Sequence, residues 1–338
     1  MSDSARAEPS STLAPYLALG WLALLWGASY LFIKVAVKDM SPATLVLLRA
    51  GIGGACLALI LAASGRGRIL VQTLRGSAGS PGSPGSPGTD ARGPARAYLD
   101  YAAMAVLSGL LPWTAIAWGE LSITSGLASI LNATTPLFVA LAAYWVTPSE
   151  RPSPLNYGGV AIGFVGTVIL VAPSVQRSGL RGDTLGALAV LLASASYAAA
   201  AIYQRRRMAG VDAFQASLGQ LAATTLLALP LAVPTLPATH LQPLSLGAAL
   251  ALGVGGSSIA YVLYYYLLNT LGATRASAVT FLLPITAVVW GFLLLQEAVP
   301  WTTLLGMAVI LAGIFLTNRR QRRRPEEASP ASRAQAIP

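Results

Sequence analysis

The second half of this chain repeats the first. A shift of 147 residues carries Glu150 onto Glu297, Gly159 onto Gly306 and Gly166 onto Gly313; a shift of 148 carries Ser129 onto Ser277 and Pro136 onto Pro284. Hydrophobic residues fill 55% of the 338 positions and charged residues only 10%, against about a quarter charged in a soluble domain. A long repeat in so apolar a chain points to two homologous membrane bundles packed around a shared central path.

A bilayer-spanning helix needs about 20 mostly apolar residues. Ten segments qualify: 14–37, 42–63, 98–119, 124–147, 154–173, 183–203, 213–235, 245–268, 273–296 and 302–318. The first is too long for a signal-peptide core of about 7–15 residues and lacks a clear small-residue cleavage site, so it reads as a retained helix. Pro230, Pro234 and Pro237 crowd the end of the seventh and should kink or fray it. Residues 64–97 contain a Gly-Ser-Pro run with no apolar face, which predicts a disordered loop. The expected organisation is therefore a tail (1–13), a first repeat (14–173, interrupted by loop 64–97), a second repeat (183–318) and a basic tail (319–338). The fold class is all-α integral membrane, with ten transmembrane helices as two inverted five-helix repeats.

Charge placement orients the bundle. The net charge of +10 could suggest nucleic acid, but the arginines cluster directly after apolar segments, at 205–207 and 319–324, where they anchor helix ends. With the N-terminus inside, 17 of the 22 Lys and Arg residues fall on the inner side, four on the outer side, and Arg49 lies within a helix. That bias predicts both termini in the cytoplasm. Five helices per repeat is an odd number, so the halves must insert in opposite senses. Glu150 is then inside and Glu297 outside. One cysteine, Cys56, excludes a disulfide framework, and one histidine, His240, leaves little for a metal site. No cofactor is expected.

Several motifs resemble the EamA-type ten-helix transporters of the drug/metabolite transporter superfamily. They are Trp26-Gly27-Ala28-Ser29-Tyr30-Leu31-Phe32-Ile33-Lys34 in the first helix, Pro42 followed by Arg49 in the second, and Leu131-Asn132-Ala133-Thr134-Thr135-Pro136-Leu137-Phe138 with Glu150 and Gly159 closing the first repeat. In the second repeat they are Gly272 to Ser277, Leu283-Pro284, Glu297 and Gly306. The similarity spans residues 15–318. It implies export of amino acids, related metabolites or drug-like molecules across a cytoplasmic membrane, with a small-molecule solute and the bilayer as partners. A monomer would suffice, and a homodimer stays open.

Candidate path residues follow from chemistry that apolar helices do not ordinarily carry. A mid-membrane arginine costs about 2.5–3.5 kcal/mol on insertion scales, so Arg49 must snorkel outward, pair, or line a watery cavity. Lys34 sits near the outer end of the first helix, and Glu120 follows Trp118 at the outer end of the third. Glu120 either pairs with Lys34 or Arg49, couples protons, or is a solvated helix-end carboxylate. Glu150 and Glu297, at helix boundaries, read as caps of neighbouring helices. Pro136 and Pro284 are matching kinks or hinges, with Asn132 and Thr280 each four residues earlier. Trp26 with Tyr30 and Tyr261 with Tyr265 lie one turn apart and could form aromatic walls; Trp113, Trp118 and Tyr197 are further candidates, although Trp and Tyr also populate interfacial belts. Gly159, Gly163 and Gly166, like Gly306 and Gly313, read as packing stripes.

No GxxxxGK[ST] sequence is present, so ATP drive by this chain is not expected. The first helix also has no acid, unlike small multidrug antiporters, which disfavours drug export. Uptake stays open, because the repeat plan is symmetric in principle. A membrane-embedded enzyme would need clustered acids, histidines or a metal set, and a non-transporting receptor or scaffold would bind without flux.

Overall fold

The computed structural model describes residues 13–76, 93–146, 154–239, 242–276 and 278–318. Glu150, Ser277, His240, both tails and positions 77–92 of the long loop lie outside them. The first span is α1 (Leu13–Ala36) and the second is α2 (Pro42–Ala63). A short helix, α3 (Gly67–Arg75), follows. The third span joins α4 (Pro94–Met104) to α5 (Leu111–Gly119) through a π-helical turn at Ala105–Leu110. The fourth joins α6 (Ser125–Asn132) to α7 (Thr135–Val146). The fifth to seventh are α8 (Pro154–Ser178), α9 (Asp183–Arg207) and α10 (Ala213–Ala232). The eighth joins α11 (Pro243–Ala251) to α12 (Ala260–Ala276) through a second π-helical turn, Leu252–Ile259; α13 (Val279–Leu295) and α14 (Trp301–Asn318) complete the set. Eight of these runs are long and apolar enough to cross a membrane, and Val279–Leu295 and Trp301–Thr317 are shorter. Seventeen residues is still within the range of about 17–25 that can span.

Three expectations change. The loop at 64–97 is not wholly without structure: α3 is helical, closed by Gly76 in the left-handed region at φ 61°, and helix α4 already begins at Pro94. Ile69 and Leu70 of α3 pack beneath α2 and α10, giving the segment the apolar face that its Gly-Ser-Pro neighbourhood obscured. The eighth span runs to Ala276, so residues 273–276 belong to it and not to the ninth. The paired prolines also behave differently. The fourth span breaks immediately before Pro136, whereas Pro284 lies within a continuous α13.

Local signals account for many helix ends. Ser41 accepts from the Thr44 amide ahead of Pro42, Thr124 from the Leu127 amide, and Asp212 from the Phe214 and Gln215 amides. Each satisfies amide donors that the first turn leaves unpaired. The α-helix of the seventh span gives way to a 3₁₀ turn at Val233–Ala238, where Pro234 and Pro237 supply no donors.

Helix packing obeys the repeat. The second span lies on the seventh, the fourth on the ninth and the fifth on the tenth, each against its own counterpart. The first contacts the ninth as the sixth contacts the fourth, and the second contacts the eighth as the seventh contacts the third. Exchanging the halves therefore reproduces these contacts. The fifth–tenth pair is the closest: a Cβ on Gly313 would stand 2.5 Å from the Gly163 nitrogen, and one on Gly159 2.7 Å from the Gly313 carbonyl. Only glycine admits that approach, as expected for helices held by van der Waals packing in lipid.

Candidate solute-binding cavity

Between the halves lies a cavity of about 320 Å³, at the lower end of the ~300–1,000 Å³ typical of ligand sites. The first span supplies Trp26, Ser29, Tyr30 and Ile33; the third, Ser108, Trp113 and Ile116. The fourth contributes at its break, through Asn132, Ala133, Thr135 and Pro136. Arg49, Ser129, Tyr197, Gly256, Tyr261, Thr280 and Leu283 complete the lining. The cavity thus gathers eight of the twelve residues expected along a path: Trp26, Tyr30, Arg49, Trp113, Asn132, Tyr197, Tyr261 and Thr280.

Tyr265 lines a neighbouring hollow, where its hydroxyl is 2.9 Å from that of Ser217. Trp26, Ser108 and Tyr261 border both hollows, so the two adjoin. The second extends to Gln204, Ala216 and Leu268, toward the end of the bundle that carries both termini. Three expected residues lie off the cavity. Trp118 turns outward and is 46% exposed, so it is a peripheral aromatic in this structure. Lys34 and Glu120 sit beyond the opposite end. Of the two hinge prolines, Pro136 reaches the cavity wall and Pro284 is buried outside it.

Hydrogen bonds hold the aromatic wall in place. Trp26 Nε1 donates to the Gly256 carbonyl at 3.1 Å, and Asn132 Nδ2 donates to the Tyr30 hydroxyl at 2.7 Å. These two bonds tie the first span to the eighth and fourth. Arg49 lies at the second span's cavity face, 9% exposed, with its guanidinium carbon 4.1 Å from the centroid of the Trp113 ring. Its Nε donates to Ser257 Oγ at 3.2 Å. That is its one hydrogen bond among the described residues. No carboxylate there is within ion-pair distance, since the ion pair found is Arg177–Asp183 at 3.9 Å on the surface. Cation–π contact stabilises a desolvated guanidinium, but it does not neutralise it.

At the end where α1 finishes and α2 begins, polar contacts join neighbouring spans. Lys34 Nζ donates to the Glu120 carbonyl, and to that of Ile123 at 2.8 Å. Lysine thus meets the backbone of Glu120 rather than its carboxylate, which is wholly buried and has no hydrogen-bond partner among the described residues. Glu297 accepts from the Ser125 amide at 2.9 Å, the Ser125 hydroxyl at 2.8 Å and the Gly126 amide at 3.3 Å. A carboxylate from the second half therefore caps helix α6 of the first. Ser41, Thr44 and Thr235 share hydroxyl contacts of 2.7–3.1 Å, and Ser245 donates to Asp39.

Sequence reading missed the small residues. Ser29, Ser108, Ser129, Gly256 and Ser257 were indistinguishable from packing residues, and both π-helical turns were unforeseen. Their positions are related by the repeat, since Ala105–Leu110 shifted by 147 falls within Leu252–Ile259. The one available signal was the density of small residues in Gly253-Val254-Gly255-Gly256-Ser257-Ser258.

The profile of the EamA-like transporter family matches residues 14–172 and 184–319, the two halves defined by the repeat. The chain belongs to the EamA-like transporter family. It is a non-enzymatic, multi-pass membrane transporter. It is 24% identical to the uncharacterized transporter YoaV of Bacillus subtilis, over 87% of this chain and 92% of that protein. It is 26% identical to the inner membrane transporter YedA of Escherichia coli K12, over 88% and 89%. A probable terminal-alkyne amino-acid exporter of Streptantibioticus cattleyicolor is 29% identical over 64% of this chain and 71% of its own length. A solved crystal structure shares the fold at a TM-score of 0.59, with 21% identity over 93% of this chain and the whole of that one.

Proposed function

We propose that this EamA transporter exports small organic solutes bearing a carboxylate, amino acids or related metabolites, across the cytoplasmic membrane by alternating access. Both termini face the cytoplasm in this reading. The observation that carries it is Arg49: a buried guanidinium at the cavity wall with no carboxylate partner among the described residues. A buried cation without a counter-charge is costly, and an incoming carboxylate would supply both the charge and bidentate acceptors. The basic bias of one face supports the orientation. Adjoining hollows on that face, with polar contacts joining the spans at the opposite end, are the arrangement of an inward-facing state. The amino-acid exporter among the relatives supports the solute class.

Counterflow into liposomes tests this. A carboxylate solute should accumulate saturably with wild-type protein. Arg49→Ala should lower that flux at least tenfold, and Trp26→Ala several-fold. Absence of flux for every amino acid and related carboxylate, with the protein folded, would overturn the proposal. Undiminished flux in both variants would overturn the site.

A further inference from the structure

The charge balance of the cavity narrows the solute further, given the Arg49 reading above. Among the residues lining the cavity, Arg49 carries a charge and the others do not. No acid is among the residues lining the cavity. Glu297 is spent on three donors of α6, Asp39 accepts from Ser245, and Asp100 accepts from Tyr203 at 2.7 Å. Glu120 is buried outside the lining.

A zwitterionic amino acid needs two partners of opposite sign. Its carboxylate could meet Arg49, but its ammonium would find no carboxylate. Three of the neutral acceptors are engaged: the Gly256 carbonyl by Trp26, the Asn132 side-chain oxygen by Ser194 at 3.4 Å, and the Tyr30 hydroxyl by Asn132. The Trp113 face already carries Arg49, whose charge repels a second cation. Stripping an ammonium of water without a paired acid is costly. A phosphate monoester, at about −1.5 to −2, would exceed the single positive charge.

We propose that the preferred solute is a monocarboxylate with an apolar or aromatic body and no free ammonium, such as an N-acylated amino acid or an α-keto acid. The carboxylate forks onto the free guanidinium donors, and the body lies among Trp26, Tyr30, Tyr197 and Tyr261.

The test is calorimetric binding to the full purified chain, using N-acetylphenylalanine, phenylalanine, phenylalaninamide and phenyl phosphate, with a parallel leucine series for the first three. N-acetylphenylalanine should bind at least tenfold more tightly than phenylalanine, and the amide and the phosphate more weakly than N-acetylphenylalanine. Arg49→Gln should abolish the advantage of the acetylated compound. Arg49→Lys, which keeps the charge, should retain the order at reduced affinity, and the wild-type comparison stands even where a variant fails to fold. Equal or tighter binding of the free amino acids would overturn this inference and leave the carboxylate reading intact. Tightest binding of an amide would overturn both, as would unchanged binding in folded Arg49→Gln. No binding in either series would overturn the inference alone, and the flux experiment above then decides the broader reading.

Discussion

At the scale of single residues, two carboxylates near the end where α1 finishes have opposite roles. The Glu297 carboxylate accepts three hydrogen bonds, whereas the Glu120 carboxylate accepts none among the described residues. Hydrogen bonds to a charged group contribute about 1.5–3 kcal/mol each, and an unsatisfied buried polar group costs about 1–3 kcal/mol. Glu297→Gln should therefore lower the thermal unfolding midpoint in detergent, at a cost of about 1–3 kcal/mol. Glu120→Met should leave that midpoint unchanged or raise it. A clear loss of stability in Glu120→Met would show that its carboxylate has a partner in the membrane. The sequence made Arg49 legible because a charge in an apolar helix must have a reason to be there. It left Ser257, which accepts from Arg49, unreadable, since a serine in a glycine-rich helix packs as readily as it bonds. Trp118 is ambiguous for a related reason: an aromatic at a helix end suits an interface and a path equally well.

At the scale of elements, the π-helical turns are the feature that hydropathy could not supply. A π turn changes which carbonyl each amide reaches, but leaves the apolar pattern of the helix intact. Both turns use glycine to meet the second or seventh span. A Cβ on Gly109 would stand 2.4 Å from Thr224 Oγ1, and one on Gly253 2.7 Å from Ile52 Cβ. The two contacts join corresponding pairs of spans, the third with the seventh and the eighth with the second. Gly109→Val and Gly253→Val should each lower stability by about 1–3 kcal/mol through overpacking, and should reduce transport as well. Gly313→Val, at the fifth–tenth interface away from the cavity, should destabilise similarly while leaving solute preference unchanged. Unfolding midpoints together with flux measurements separate these cases. The helices themselves were largely readable, since ten apolar runs of the required length became ten spans. Helix α3 was not, because nine residues beside a low-complexity stretch give too short a period to see.

At the scale of the whole molecule, the repeat sets the architecture and the differences between its halves set the chemistry. Arg49 on the second span and Gln220 on the seventh are nearest counterparts, yet only Arg49 is charged. Gln220 is also buried, lining the adjoining hollow. Exchange symmetry in the packing means that a mirror arrangement, sealed at the termini end and open at the other, uses the same kinds of contact. In the proposed transport cycle, one path between the two halves is closed at one end at a time. Labelling with a membrane-impermeant maleimide tests it most directly, in a Cys56→Ala background carrying either Ile123→Cys at the end where α1 finishes or Ala216→Cys at the other. Without solute, Ala216→Cys should label from the cytoplasmic side and Ile123→Cys should be protected on both sides; saturating solute and a drive across the membrane should raise Ile123→Cys labelling from outside and lower that of Ala216→Cys. Labelling of both positions at once, or a pattern that solute leaves unchanged, would contradict the account.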